Sequence, residues 1–222
     1  MSGSGFFGKI PSHGDFVRRS LSPAFVTPWD GWLQAGLAKA RETLGDQWLD
    51  IYLTSPVWRF ALASGFAGNA AAAGLFIPSV DRVGRYFPFT LASVIDAAPS
   101  PFDIRCGAGD WFTSAEPLAL SVLAEDFSFD DLVDRLDRLA MPALADDDAV
   151  RSGAWRFDGD DGVLLLQHLG RMLALPYGLF WTEGSRVVPP TTLLTRRMPT
   201  PRQFTALLDG AWAAHGWEEV AS

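Results

Sequence analysis

The chain has one cysteine, Cys106, in 222 residues. A single thiol excludes an internal disulfide and a cysteine-based zinc site, and it suits a reducing compartment. The three histidines, His13, His168 and His215, are too scattered to form a metal set in their place. No run of about eighteen apolar residues occurs, so no bilayer-spanning helix is expected. The sequence does not open with a basic stretch followed by an apolar one, so no secretory leader is expected, and a cytoplasmic protein is. Repeats and low-complexity linkers are also missing. Without them there is little reason to divide the chain, and the acidic segment near 145–150 is the best alternative boundary.

What is present suits a large core. Apolar residues make up 48% of the chain and aromatics 13%, with nine tryptophans, which is far from a disordered composition. The net charge of −8 is unevenly placed. Residues 1–110 carry nine cationic and nine anionic side chains, whereas residues 111–222 carry nine and seventeen. Most of the acidic excess falls between Glu116 and Asp161. The sequence shows no basic patch, so nucleic acid is not an expected partner. The acidic stretch reads either as a solvated surface or as a docking face for a basic protein.

Periodicity places helices and strands along the whole length. Phe6–Ile10 reads as a first strand. Phe25, Trp29, Trp32, Leu33, Leu37, Ala40 and Leu44 recur at helical spacing, with Gly45 available to close the helix. Asp46–Leu53 reads as a second, short helix. Val57–Ala63, Gly74–Val80 and Phe87–Ile95 read as strands, the last two as an antiparallel pair across a turn at Gly84. Asp110–Ala124 reads as a helix interrupted near Pro117. Ser128–Leu139 is a helix with a capping-box-like start at Ser128 and Asp131, and Asp131–Arg135 and Asp134–Arg138 are i,i+4 pairs. Further on, Arg151–Phe157 reads as a strand, Gly162–Leu175 as a helix, and Tyr177–Thr182 and Thr191–Arg197 as final strands. Thr200-Pro201-Arg202-Gln203 begins a last helix that runs to Gly216. This interleaving predicts one α/β domain over residues 1–222: a sandwich with a mixed sheet flanked by helices on both faces.

Motifs for common chemistries fail on context. Gly3-Ser4-Gly5-Phe6-Phe7-Gly8 fits G-x-G-x-x-G, but no strand precedes it and no helix opens after it, as dinucleotide binding requires. Neither a P-loop nor a G-x-S-x-G elbow occurs. Asp158-Gly159-Asp160-Asp161-Gly162 resembles half a calcium loop, yet the glutamate that would complete it is missing. Ser12 or Ser79 with His13 is the one arrangement left for nucleophilic catalysis, with Asp15 as a possible orienting group. No cofactor or metal is expected, and the chain is not expected to be an enzyme.

Three polar blocks inside apolar sequence stand out. They are Gly8–Phe16 (GKIPSHGDF), Ser55–Phe60 (SPVWRF) and Pro78–Pro88 (PSVDRVGRYFP). Charges so close to buried strands need partners, because an unpaired buried charge costs several kcal/mol. Asp15, Arg59, Asp81, Arg82 and Arg85 are therefore expected to pair as an arginine–carboxylate network at the sheet rim. The other reading is a polar pocket or partner-recognition patch, in which Lys9, Arg59 and Arg85 line a site for a small-molecule or nucleotide anion.

At these blocks the sequence resembles the TagF family, type VI secretion-associated proteins of proteobacteria. The Trp29–Leu44 helix, Phe180-Trp181-Thr182-Glu183-Gly184 and Leu207-Leu208-Asp209-Gly210-Ala211-Trp212 look like it too. The resemblance implies an α/β sandwich and a cytoplasmic post-translational repressor of type VI secretion that binds the forkhead-associated (Fha) scaffold protein. It implies no catalytic residues. Some members carry a fused phosphatase domain; these 222 residues hold none, so phosphatase activity is not expected of them. Lys9, Asp15, Arg59, Ser79, Asp81 and Arg85 correspond to the family signature, with a role in folding or in binding.

Overall fold

The computed structural model describes residues 3–96, 99–144 and 176–218. The strand expected at Arg151–Phe157, the acidic segment near 145–150, the half calcium loop, the helix expected at Gly162–Leu175 and His168 lie outside the described residues. Seven strands form one sheet: β1 (Gly3–Gly8), β2 (Val17–Arg19), β3 (Trp58–Leu62), β4 (Ala71–Ile77), β5 (Phe89–Ile95), β6 (Gly178–Thr182) and β7 (Thr191–Thr195). Their spatial order is β2-β1-β5-β4-β3-β6-β7. The α/β class and the helices on both faces are as expected. The expected mixed sheet is refined, because all six ladders are antiparallel.

Helices α1 (Pro23–Leu44), α2 (Trp48–Leu53) and α6 (Pro201–Asp209) cover one face; α3 (Pro101–Gly107), α4 (Gly109–Leu120) and α5 (Phe129–Arg138) cover the other. Because both faces are covered, the central strands are apolar on both sides rather than alternating. On β3, Trp58, Phe60 and Leu62 enter the α1/α6 layer, while Ala61 enters the α3/α4 layer. Three buried indoles also hydrogen-bond across elements. Trp29 Nε1 donates to Thr90 Oγ1 at 2.9 Å, Trp32 to the Pro199 carbonyl at 2.8 Å, and Trp58 to the Leu207 carbonyl at 2.8 Å. Each of these three thus buries a large ring and leaves no orphan N–H, whereas the buried Trp48 Nε1 has no hydrogen-bond partner. Between α1 and α6 the approach is so close that a Cβ at Gly36 would lie 2.4 Å from the Phe204 ring.

Local signals set most boundaries. Thr200 and Gln203 form the reciprocal capping box of α6. That helix ends at Gly210, in the left-handed conformation with φ 70°, and not at Gly216, which closes a later 3₁₀ turn. Pro117 lies within α4 without ending it, and a 3₁₀ turn follows from Ser121. Ser128 caps α5 through the Asp131 N–H. Asp131 and Arg135 pair at 3.4 Å, but the expected Asp134–Arg138 pair is not formed. Instead Arg19 on β2 takes Asp137 at 2.9 Å and ties the sheet edge to α5.

Candidate functional site

The first and third polar blocks come together at one end of the sheet. β1 and β5 are antiparallel neighbours, with Phe7 opposite Thr90, and β4 pairs with β5 on its other side. The segment after β1 and the β4–β5 connection therefore leave the sheet side by side. The G-x-G-x-x-G match is β1 itself. Gly8, with φ 146°, passes the Pro88 carbonyl so closely that a Cβ would sit 2.2 Å from its oxygen, so glycine here serves strand packing.

Asp81 is the centre of the arrangement. It is 3% exposed. Its Oδ1 accepts the Val83 and Arg85 backbone N–H groups at 3.0 and 2.9 Å. Its Oδ2 accepts Lys9 Nζ at 2.9 Å and Arg85 Nε at 2.7 Å. Burial opposes ionisation, but Lys9, Arg85 and the two backbone donors outweigh it and hold the carboxyl well below the usual carboxylate range. Arg85 also donates to the Gly14 carbonyl, and the Arg82 N–H donates to the His13 carbonyl at 2.9 Å. One carboxylate thus organises its own turn and ties it to Lys9, while Arg82 and Arg85 join the turn to His13 and Gly14.

Behind the turn, Tyr52 on α2 accepts the Ser79 N–H at 2.9 Å and donates to the Ser79 carbonyl at 2.8 Å. Burial pushes its hydroxyl pKa well above the ordinary tyrosine value. Tyr52 stacks on Trp48 at 5.2 Å and meets Tyr86 edge-on at 6.0 Å. Ser79 contributes through its main chain, and its buried Oγ has no hydrogen-bond partner.

Two signature residues are not where the sequence reading put them. Arg59 does not pair with Asp15 or Asp81. From β3 it reaches α4, donating through Nε and Nη2 to Glu116 Oε2 at 3.0 and 2.6 Å, and through Nη1 to Glu183 at 2.9 Å. Asp15 lies on the exposed loop, where it accepts the Phe16 N–H at 2.8 Å. The rim network is therefore two separate clusters. Lys9, Arg59 and Arg85 line no common anion site, since each cation engages a carboxylate of the fold. Ser12 Oγ lies 2.9 Å from His13 Nδ1, the one element of the nucleophilic reading that is present. His13 packs on Phe129 at 4.8 Å, and among the described residues no carboxylate orients its ring. His215 is buried, with its Nε2 2.7 Å from Asp209. Among the described residues no cluster of His, Cys, Asp and Glu could hold a metal ion.

Sequence reasoning missed Tyr52, Glu116 and Glu183. Glu116 is the lone charge in the apolar stretch Ala115–Ala119, a signal that was available. Nothing local marks Tyr52 as the anchor of Ser79.

Comparison with known proteins agrees with this architecture. The family described as the TagF N-terminal domain, type VI secretion system-associated, matches residues 5–139, which include all three polar blocks. The crystal structure of PA0076 from Pseudomonas aeruginosa PAO1 superposes with a TM-score of 0.82 at 33% identity, over 99% of this chain and 97% of that one. No curated protein matches the chain.

Proposed function

We propose that this chain, which belongs to the TagF family of type VI secretion-associated proteins, is a non-enzymatic repressor of that system. It acts in the cytoplasm by binding the Fha scaffold protein. The observation that carries the reading is the family match over 5–139 together with the way its charged blocks are used. Lys9, Asp81, Arg85 and Arg59 are committed to internal ion pairs that shape loops and join layers. Groups so engaged favour a built surface over a reacting centre.

The test is direct. Purified chain titrated into purified scaffold from the same bacterium should bind with a Kd in the micromolar range or tighter. Overproducing the chain in that bacterium should lower the release of type VI substrates without lowering the level of the secretion components. Two folded proteins that fail to associate at tens of micromolar would overturn the reading.

A further inference from the structure

The two joined loops present an unusual surface. Phe16 is 42% exposed and Val83 64% exposed. Phe16 is nevertheless held firmly. It stacks on Phe7 at 5.4 Å with planes 6° apart, meets Phe87 edge-on at 4.9 Å, and carries Lys9 Nζ 5.0 Å from its ring centre. Three arginines stand on the joined loops and the strand beside them. Arg18, two residues on, sits opposite Phe7 in the β1–β2 register. Arg82 lies against Gly14, two residues back, and Arg85 donates to the Gly14 carbonyl. Arg85 remains half exposed, and Arg18 and Arg82 are exposed with no ion pair or side-chain hydrogen bond among the described residues. Asp15, the acid within the loop, turns a carboxylate oxygen to its neighbour's N–H, and Asp130 follows the Phe129 ring that packs on His13. In a chain of net charge −8, this tip is a local cationic surface around an aromatic anchor.

We propose that the tip is a docking surface for a protein partner, and that the partner offers an acidic segment with an apolar side chain to cover Phe16. The inference rests on the reading above that the chain acts by binding a protein. Three arguments carry it. The charge at the tip is opposite to that of the rest of the molecule, which selects an acidic partner and steers its approach. A rigid aromatic flanked by arginines is the composition of interface hot spots. Because Asp81, Lys9 and the Phe7–Phe16 stack already fix both loops, little ordering entropy is lost on binding.

The test uses the full chain with Arg82→Glu, Phe16→Ser and Lys39→Glu, the last an equal charge reversal on α1. Each variant is first shown to melt cooperatively. Arg82→Glu alters no side-chain bond of the fold, so it remains informative if Phe16→Ser unfolds. Against the Fha scaffold, Arg82→Glu and Phe16→Ser should each bind at least tenfold more weakly, Lys39→Glu should stay within twofold, and binding should weaken as salt is raised. If the scaffold binds the Arg82→Glu protein as it binds wild type, the docking surface is wrong and the scaffold reading stands. If wild type does not bind the scaffold, that reading falls. A synthetic Glu/Leu peptide then decides for the surface: salt-sensitive binding abolished by Arg82→Glu supports it, and no binding by wild type overturns it.

Discussion

Replacing Arg59 with alanine tests how the sheet is fastened to the α4 layer. The Arg59 side chain is 15% exposed and that of Glu116 26%. Two donors converge on Glu116 Oε2 in a half-buried setting, and such charge-assisted bonds contribute about 1.5–3 kcal/mol. The third bond ends on Glu183, whose side chain is 77% exposed, and an ion pair so solvated adds at most about 0.5 kcal/mol. Arg59→Ala should therefore destabilise by about 2–3 kcal/mol, which lowers Tm by roughly 4–12 °C for a chain of this size. A fully buried partner would have raised the loss to about 3–5 kcal/mol. Urea unfolding followed by tryptophan fluorescence measures the loss. The partners separate in single variants, with Glu116→Gln costing about 1–2 kcal/mol and Glu183→Gln less than about 0.5 kcal/mol. Equal losses at the two glutamates, or a loss below about 0.5 kcal/mol at Arg59, would refute the reasoning.

Three further predictions concern the joined loops. Tyr52→Phe should cost about 1–3 kcal/mol, because both the N–H and the carbonyl of buried Ser79 lose their partner; urea melts read the loss, and an unchanged midpoint would contradict it. The raised pKa of Tyr52 also means that its contribution is complete below the ordinary tyrosine value and is lost as pH rises through and beyond about 10. Tm measured upward from pH 9 should fall less steeply in Tyr52→Phe than in wild type. Asp81 has the opposite sign. Its carboxyl stays ionised in the fold while the unfolded chain takes up a proton near pH 4, so its contribution is present above that pH and lost on further acidification. Asp81→Asn should be less stable at pH 7 and show a shallower acid limb than wild type between about pH 4 and pH 2. Parallel acid limbs in the two proteins would show that this carboxylate is not held ionised.

The helices with long apolar periods were legible, as α1, α5 and the start of α6 show. Each combines a stripe with a cap that acts within a few residues. Strands β3, β5 and β6 were legible from aromatic and branched runs. The misses have separate causes. β2 has three residues and α3 seven, too few to show a period, although Ser100 and Asp103 form a capping box. The first half of β4 is Ala71-Ala72-Ala73, a poor strand former by propensity that is buried here between two helix layers. The end of α6 was misplaced because Ala211 and Trp212 continue its apolar pattern past a glycine that turns the backbone.

By itself the sequence determined the α/β layering, the starts of α1, α5 and α6, the need to pair the charges in the three blocks, and the family. These follow from local spacing, capping and composition, and from motif order. Tertiary structure alone decided strand order and direction, and which carboxylate each cation meets. Arg59 finds Glu116 fifty-seven residues on, and Lys9 finds Asp81 seventy-two residues on. No local pattern encodes such a choice. It is made when antiparallel pairing brings β1, β5 and β4 side by side and the sheet face beneath α4 is covered. The same step leaves Phe16 and its arginines at the surface while it buries the charges that hold them there.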